Sequence, residues 1–262
     1  MLIGKAGPAV SSIATATPDR IEVRGRDLTA DLMGRLSFTE YFYLLVTGRE
    51  PTNEQRYFLD LLLVSIAEHG LVPSVQAARM TLAGDPAALQ GAVAAGILGA
   101  GSVILGAAEQ CGKLLTEAQA HLAGGEGPDA ALRAVLLALR QNNAKIPGFG
   151  HPLHKPVDPR AERIVALAAE RGLDGPHLKL ARRLPPLVAE VWGKPMPMNV
   201  SMPIAAVLLD LDFPATMIKA IPILARTASL LAHLAEEQQR PIGFLMASKG
   251  EEAIAYEEDK DE

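Results

Sequence analysis

The spacing of apolar residues along the chain is that of amphipathic helices. Apolar side chains recur three and four positions apart in one segment after another, for example at Phe58, Leu61, Leu62 and Ile66. Helix-start patterns precede two of these segments, because Ser37–Glu40 and Thr52–Gln55 each have the sequence of a capping box. Strand-like composition is confined to Ile21–Val23. The pattern predicts an all-α protein of about ten helices.

The least polar segment is Gly91–Ala108, which has no charged residue and contains several glycines. Its length is at the lower limit for a membrane span, but it is rich in alanine and no cluster of Lys and Arg flanks it. Asp85 and Pro86 before it are typical of a helix start. We expect a pair of closely packed, buried helices in this segment rather than a membrane span.

Charge is concentrated at the C-terminus. The 262 residues carry a formal net charge of −5, and residues 251–262 alone carry −6, so residues 1–250 carry +1. A nucleic-acid-binding protein usually needs a basic face, and this function is therefore disfavoured. The acidic tail at 251–262 is predicted to be solvated.

Cys111 is the only cysteine, so the chain can form neither an internal disulfide nor a cysteine-based zinc site. Residues 1–12 lack the long apolar core that a signal peptide needs. We therefore expect a reducing compartment and a cytoplasmic location.

The densest run of glycine, proline, histidine and polar residues is 141–160, and it carries the candidate chemistry. In Gly148–His151 two glycines flank an aromatic residue, which allows the backbone to approach a ligand closely. Arg160 stands in the first turn of a predicted helix. A helix N-terminus, an arginine and a histidine together suit a carboxylate ligand. The alternative is a rigid loop followed by a proline-started helix.

His151 and His154 raise the question of a metal site. A spacing of three residues brings two imidazoles together most readily on a helix, which Pro152 and Pro156 oppose. The sequence offers no further ligand nearby, and no metal is expected.

His69 differs from the other histidines because it lies at a predicted helix end, where backbone groups are unpaired. Three histidines lie within helical patterns and are expected at the surface or in packing contacts: His121, His177 and His233. Arg226 lies on an apolar helix face, where a charge needs a partner or a ligand. Arg240 follows two glutamates. For both arginines, solvation or ion pairing is the alternative to ligand binding.

Several segments resemble the citrate synthase superfamily and occur in that family's order along nearly the whole chain. They are Arg24–Leu28, Gly34–Pro51, Glu68–Gly70 with Ser74, Gly148–Arg160, and Asn199–Val200 followed by Arg226 and Arg240–Pro241. The Gly-Phe-Gly-His…Asp-Pro-Arg pair is the most specific of them. The short length is closer to stand-alone citryl-CoA lyases, and to the lyase module of ATP-citrate lyase, than to citrate synthases.

The resemblance implies a helical homodimer or higher homo-oligomer that closes over a CoA thioester and a dicarboxylate, without a metal. Each subunit would have a large domain, 1–108 and 206–250, and a smaller hinged domain, 109–205. By position, the ligands of the oxaloacetate or citrate oxygens are expected to be His69, His151, Arg160, Arg226 and, reaching in from the other subunit, Arg240. The loop that touches CoA is expected to include Ile146, Gly148, Phe149 and Gly150.

Two departures from the family pattern bear on mechanism. The family's histidine in the glycine-containing segment is replaced by Ile104, and the aspartate that follows the Asn-Val pair is replaced by Ser201. Asp210 is more than two helical turns further on and would point elsewhere. A Claisen synthesis needs a base and an acid, which an isoleucine and an unactivated serine do not supply. Cleavage needs a base for the hydroxyl, which His69 or His151 could supply, while Ser201 could donate a hydrogen bond.

The lyase direction is therefore favoured. Citryl-CoA, or a related carboxylated 3-hydroxyacyl-CoA, would give acetyl-CoA and an oxo acid such as oxaloacetate. Two alternatives remain open. One is a citrate or 2-methylcitrate synthase, and the other is a catalytically degenerate subunit that binds citrate or CoA.

Overall fold

A computed structural model describes residues 9–258. The chain divides into two compact units, with the boundary between Asp60 and Leu61. The predicted boundaries at 108, 205 and 250 concern a different division, into hinged domains, and stay predictions. The acidic tail lies partly outside the described residues, and its described part, 251–258, is exposed.

The first unit contains a small antiparallel sheet and one capped helix. The sheet has the order β1-β2-β3, with strands at Ala14–Ala16, Ile21–Val23 and Arg26–Asp27. Helix α1, Phe38–Thr47, starts with the predicted capping box at Ser37 and Glu40. The buried core of this unit consists of Val23, Leu32 and Leu44. The sequence predicted β2 but missed β1 and β3, which are too short to show an alternating pattern.

The rest of the described chain is helical, which confirms the predicted all-α class. After α2 at Asn53–Ala67, which contains the boundary between the units, the helices are α3 Pro73–Gly84, α4 Leu89–Leu105, α5 Ala107–Ala123, α6 Pro128–Gln141, α7 Pro159–Glu170, α8 Pro176–Trp192, α9 Ser201–Asp210, α10 Ala220–Gln239 and α11 Gly243–Ala253.

Helices α3, α4 and α10 pack closely around one core, made of Val75, Ala78, Leu82, Ala92, Leu230 and Leu234. A Cβ atom at Gly96 would lie only 2.9 Å from the backbone carbonyl oxygen of Ser74, so the close approach of α4 to α3 requires glycine. Helix α4 is kinked at Gly101, whose φ is 58°. The expected helix start at Asp85 was wrong, because Asp85 ends α3 and α4 begins only at Leu89.

Two helical stretches of the described chain are long and apolar enough to cross a membrane, judged by length and composition alone. They are Leu89–Ala123 and Ala215–Gln239. Core helices of soluble proteins meet the same criteria. Helix α4 leaves Leu98 and Val103 exposed, so its buried face is only one side of the helix. The expectation that this segment does not span a membrane stays a prediction.

Candidate active site

Three histidine side chains from two separate loops meet in the second unit. His69 follows α2, whereas His151 and His154 lie between α6 and α7. The His151 and His154 rings stack with 4.3 Å between their centroids. The centroid of the His69 ring lies 5.2 Å from that of His151 and 5.3 Å from that of His154. The fold thus brings together His69 and His151, which were predicted to bind the same ligand, and adds the imidazole of His154.

The glycine loop before His151 is held by the segment that leads into α9. The Gly150 N–H donates to the Pro197 carbonyl at 2.8 Å, and the Asn199 N–H donates to the Gly148 carbonyl at 2.8 Å. The side-chain amide of Asn199 donates to the Gly150 carbonyl at 2.9 Å. These bonds fix the backbone from which the His151 side chain projects.

The two loop glycines have different roles, although both have positive φ, at 77° and 79°. A Cβ atom at Gly148 would lie 2.8 Å from Cys111 Sγ and 2.9 Å from Met202 Cβ, so packing alone requires glycine there. A Cβ atom at Gly150 would meet no described atom within 4 Å. Only Gly150 fits the predicted close approach to a ligand. Two other residues of the predicted CoA loop have buried side chains: Ile146 and Phe149.

Arg160 is oriented by a carboxylate that the sequence had not marked as part of the site. Asp158 is fully buried and accepts hydrogen bonds from Nε and Nη2 of Arg160 at 3.0 and 2.9 Å. It also accepts the backbone N–H groups of Arg160 and Val200, both at 3.1 Å. Burial alone would raise the pKa of Asp158, but the hydrogen bonds and charge of Arg160 outweigh it, and the pKa is lowered. The guanidinium is therefore held in one orientation, with its charge compensated.

The hydrogen bonds of His151 determine where its proton lies. Its Nδ1 accepts the backbone N–H groups of Leu153 and His154, both at 3.1 Å. A neutral ring then carries its proton on Nε2. This Nε2 lies 3.5 Å from Nη2 of Arg160. Two donors therefore stand side by side, an arrangement that suits an oxygen acceptor between them.

Arg226 contributes a buried donor that has no acceptor within residues 9–258. Arg226 is 6% exposed, and its Nη1 is buried without a hydrogen-bond partner. Burial lowers the pKa of Arg226, and the nearby Glu68 carboxylate opposes this only in part. An unpartnered buried guanidinium nitrogen is costly unless a ligand supplies the acceptor. This is the behaviour expected of a residue that binds a carboxylate.

Burial and neighbouring positive charge lower the pKa values of two imidazoles of the cluster, His69 and His151. Burial is the largest cause of the lowered pKa of His69. The nearby Arg160, His154 and Arg226 lower it further, in that order of size. Burial is also the largest cause of the lowered pKa of His151, and His154 and Arg160 lower it further. Both rings therefore act as neutral groups at neutral pH.

Glu68 joins His69 to helix α10, a connection that the sequence analysis missed. One carboxylate oxygen accepts the backbone N–H groups of His69 and Gly70 at 2.7 and 2.5 Å. The other accepts Ser229 Oγ at 2.6 Å and lies 3.0 Å from His233 Nε2. His233 thus lies beside the candidate site and does more than fill a packing position. The spacing of polar residues three, four and seven apart along α10 is the signal that would have shown this.

The donor set of the cluster favours an anion over a metal cation. One ring nitrogen of each histidine lies within 4.8 Å of the others, and three imidazoles are a known zinc set. However, the Nε2 of His151 carries a proton, because its Nδ1 is occupied by backbone amides. The guanidinium groups of Arg160 and Arg226 also add positive charge close to His69. The arrangement therefore suits a carboxylate or alkoxide oxygen.

The other predicted site residues lie in different surroundings. Ser201 is buried at the start of α9, where its N–H donates to Asn199 Oδ1 at 3.1 Å. Ile104, close to the end of α4, is 42% exposed. Arg240 is exposed after α10, and its carbonyl accepts a hydrogen bond from Arg79 at 3.1 Å. The described chain does not bring Ile104 or Arg240 into the histidine cluster.

Asp210 does not replace the aspartate that the family carries at the Ser201 position. Its carboxylate accepts the backbone N–H groups of His177 and Leu178 at 2.8 and 2.9 Å, at the start of α8. Its side chain is fully buried in that role. The prediction that Asp210 points elsewhere is confirmed.

A cavity of about 660 Å³ adjoins the cluster. Its lining includes Gly150, His151 and Asp158, together with Lys155 and Lys194. The cavity therefore has His151 of the cluster and two lysine side chains in one lining.

Comparison with known proteins identifies the relatives of this chain. Residues 9–243 match the family model described as citrate synthase, C-terminal domain. The chain is 31% identical over 210 residues to a citrate synthase of Synechocystis sp.. This match covers 78% of this chain and 50% of that protein. The chain is 30% identical over 217 residues to a citrate synthase of Saccharolobus solfataricus, covering 79% and 55% respectively. The chain thus spans about half the length of the curated relatives it matches.

Among solved structures, citryl-CoA lyase from Hydrogenobacter thermophilus is similar over nearly its full length. The TM-score is 0.83, with 28% identity, and the match covers 98% of this chain and 97% of that one. ATP citrate lyase from Methanothrix soehngenii, solved in complex with citrate and coenzyme A, has a TM-score of 0.75 at 19% identity. That match covers 99% of this chain and 43% of the other, and it supports the fold alone. The segments that resemble this superfamily, the fold and the matched family model agree, and the chain belongs to the citrate synthase family.

Proposed function

We propose that the protein is a citryl-CoA lyase-like enzyme that cleaves a carbon–carbon bond of a carboxylated 3-hydroxyacyl-CoA. The observation that carries this proposal is the set of donors gathered at one site, in which Arg226 Nη1 is buried without an acceptor within the described residues, beside His69, His151 and Arg160. Carboxylate and hydroxyl oxygens of citryl-CoA would supply the acceptor that Arg226 lacks and would bind the other groups of the set. The full-length similarity to a citryl-CoA lyase supports the same conclusion.

The cavity beside His151 supports binding of the CoA part of the substrate. Lys155 and Lys194 line it and would attract the phosphates of CoA. Gly150 lines this cavity next to His151 and leaves open space where a side chain would stand. We therefore place the thioester at Gly150, between the phosphate end and the carboxylate end.

The replacements at positions 104 and 201 support cleavage over synthesis. Removing a methyl proton from acetyl-CoA needs a positioned base, and neither Ile104 nor Ser201 is one. In cleavage, a base takes the proton of the tertiary hydroxyl, and the hydrogen bond of His151 Nε2–H would hold the developing carbonyl oxygen. Ser201 would donate a hydrogen bond to the enolate.

We further propose a homodimer or higher homo-oligomer that acts in the cytoplasm, apart from membranes and nucleic acids. Exposed Leu98 and Val103 on α4 give an apolar face that a second copy could cover. Arg240 is exposed and would complete a neighbouring site. The buried free thiol of Cys111 is compatible with a reducing compartment.

The direct test is to incubate the purified protein with citryl-CoA and to follow oxaloacetate and acetyl-CoA separately. We expect both products in equal amounts, and no CoA release from acetyl-CoA plus oxaloacetate at a comparable rate. Thiol release in the synthase direction without cleavage would contradict the proposal.

The second candidate function, a degenerate subunit that binds without turnover, is favoured by the same loss of acid and base at Ile104 and Ser201. Calorimetry with citrate and with CoA separates the two. Binding that His151→Ala abolishes, with no turnover of citryl-CoA by the folded protein, would establish the degenerate subunit and refute the lyase.

A further inference from the structure

Glu68 contacts the segments that carry two of the proposed carboxylate ligands, His69 and Arg226. Its side chain is 53% exposed. Water can solvate a carboxylate that is this exposed, so its four contacts with the protein are not explained by the need to compensate a buried charge. The explanation has to lie in what these contacts connect.

The first carboxylate oxygen of Glu68 fixes the turn that carries His69. Helix α2 ends at Ala67, and this oxygen accepts the backbone N–H groups of His69 and Gly70 at 2.7 and 2.5 Å. The peptide units on both sides of the His69 Cα are therefore held, and they set the direction in which the ring leaves the backbone. The Nε2 atom of that ring is buried without a partner within residues 9–258, so this nitrogen does not hold the ring.

The second carboxylate oxygen connects the same turn to α10. It accepts Ser229 Oγ at 2.6 Å and lies 3.0 Å from His233 Nε2. Ser229 stands three residues after Arg226, so the two side chains project from one face of the helix. Charge is a further connection, because burial lowers the pKa of Arg226 and the Glu68 carboxylate opposes this.

The bonds also keep Glu68 ionised. Partial burial opposes ionisation, but the hydrogen bonds from Ser229 and from the two backbone N–H groups outweigh it and lower the pKa of Glu68. A carboxylate accepts at both oxygens, which is what a connection between two segments requires.

We propose that Glu68 is a positioning residue that fixes the His69 ring relative to Arg226, so that both groups bind oxygens of one carboxylated ligand. Glu68 acts through His69 and is not itself assigned to the ligand. A ligand that needs two groups at once loses affinity when either of them is displaced. The inference rests on the proposed function for its effect on cleavage, whereas its effect on citrate binding does not require turnover.

Two other roles of Glu68 predict different effects on ligand binding. A carboxylate that only stabilises the turn after α2 contributes to the free energy of unfolding and leaves citrate affinity unchanged. A carboxylate that acts only by its charge repels an anionic ligand, so its removal tightens binding. Removal of a positioning residue weakens binding, and does so only while His69 is present.

The contacts of Glu68 can be removed separately. Glu68→Ala removes all of them, whereas Ser229→Ala removes the hydroxyl contact with α10 and keeps the bonds to the backbone of His69. Glu68→Gln removes the charge and keeps an oxygen that accepts N–H groups. Glu126→Ala is the matched control, because Glu126 is also a partly exposed glutamate and lies 2.7 Å from Nδ1 of a histidine, His121.

The experiment is a double-mutant cycle on citrate binding, measured by calorimetry after urea denaturation has shown that each variant is folded. We expect Glu68→Ala to raise the Kd of citrate about 10- to 100-fold when His69 is present. In the His69→Gln background the same change should raise it less than about threefold. Glu68→Gln should recover most of the loss, Ser229→Ala should show part of it, and Glu126→Ala should match the wild type. In the cleavage assay, kcat/KM should fall in parallel with citrate affinity.

Three results would overturn the inference. Unchanged or higher citrate affinity of Glu68→Ala would assign the residue to the turn alone or to repulsion of the ligand. An equal loss in both backgrounds would show that Glu68 does not act through His69. Absence of citrate binding by the folded wild type would remove the site itself.

Two further results separate this inference from stability and from the proposed function. If Glu68→Ala does not fold, Ser229→Ala takes its place in the cycle, and wild-type affinity of Ser229→Ala then overturns the inference. The expected cycle on citrate binding, found together with no cleavage of citryl-CoA, would refute the proposed lyase and support the positioning role.

Discussion

Two buried arginines of the second unit show how the same side chain serves structure in one place and a ligand in another. Arg79 is 2% exposed and donates to Glu237 at 2.6 Å, to Glu236 at 2.8 Å and to the Arg240 carbonyl at 3.1 Å. Arg226 is 6% exposed, and its Nη1 has no acceptor in the described part of the chain.

The pKa values of the two guanidinium groups move in opposite directions. Burial alone would lower the pKa of Arg79, but its hydrogen bonds to Glu237 and Glu236 outweigh burial and raise it. Burial lowers the pKa of Arg226 with no comparable compensation. A buried charge that is fully paired therefore belongs to the fold, and one left unpaired marks where an anion binds.

The largest expected effect is on Arg79. Arg79→Met leaves the buried carboxylate of Glu237 without its partner, and we expect the free energy of unfolding to fall by about 3–5 kcal/mol. Urea denaturation measures it. The double variant Arg79→Met/Glu237→Gln removes the unpaired charge and should recover part of the loss. If the double variant is less stable than the single one, the unpaired carboxylate is not the cause.

Arg226→Met should behave in the opposite way. Removing an unpaired buried charge should leave the free energy of unfolding unchanged within about 1 kcal/mol, or raise it. Citrate affinity should fall about 10- to 100-fold, because a charged hydrogen bond to a carboxylate is lost. Calorimetry with citrate and urea denaturation measure the two quantities on one sample. A variant that is strongly destabilised would place Arg226 in the same class as Arg79.

A smaller change in the free energy of unfolding is expected when the pH is lowered. The pKa values of His69 and His151 lie below their ordinary value of 6.5 in the folded protein. Between the folded and unfolded pKa values the unfolded chain binds more protons, so stability should fall as the pH drops below about 6.5. Urea denaturation at about pH 7.5 and about pH 5.5 measures this. The double variant His69→Gln/His151→Gln should show a shallower dependence, and an unchanged one would contradict the assignment.

The smallest effect is expected from deleting the end of the acidic tail. Deleting residues 254–262 removes acidic residues without touching α11, which ends at Ala253. The isoelectric point should rise, while citryl-CoA cleavage should change less than about twofold. Isoelectric focusing and the cleavage assay test this. A large loss of activity would show that the tail docks on the protein.

The sequence predicted the parts of the site that depend on local order. Arg160 stands two residues after Asp158, and the helix between 159 and 170 began where the Asp-Pro pair indicated. The capping boxes of the first two helices were found in the same way. Such features depend on neighbours within a few residues, so the sequence contains the whole interaction.

Contacts between distant segments were predicted less well. No local pattern connects Glu68 with Ser229 and His233, because the two segments meet only after α10 has packed beside the end of α2. His154 was set aside as half of a doubtful metal pair, since the third imidazole comes from a different loop. The role of each histidine depends on its hydrogen bonds, which the sequence does not show.

By itself, the sequence determined the helical class, the family and the local frame that carries His151 and Arg160. Periodicity, capping residues and the glycine–histidine motif express short-range interactions, which any correct fold must satisfy. Only the tertiary structure decided which buried arginine is paired, where the proton of His151 lies and which imidazole nitrogens have no partner in the described part of the chain. These properties depend on burial and on partners far apart along the chain. The free energy of a charged group or a ring nitrogen is set by the burial, charges and hydrogen bonds around it in the folded protein.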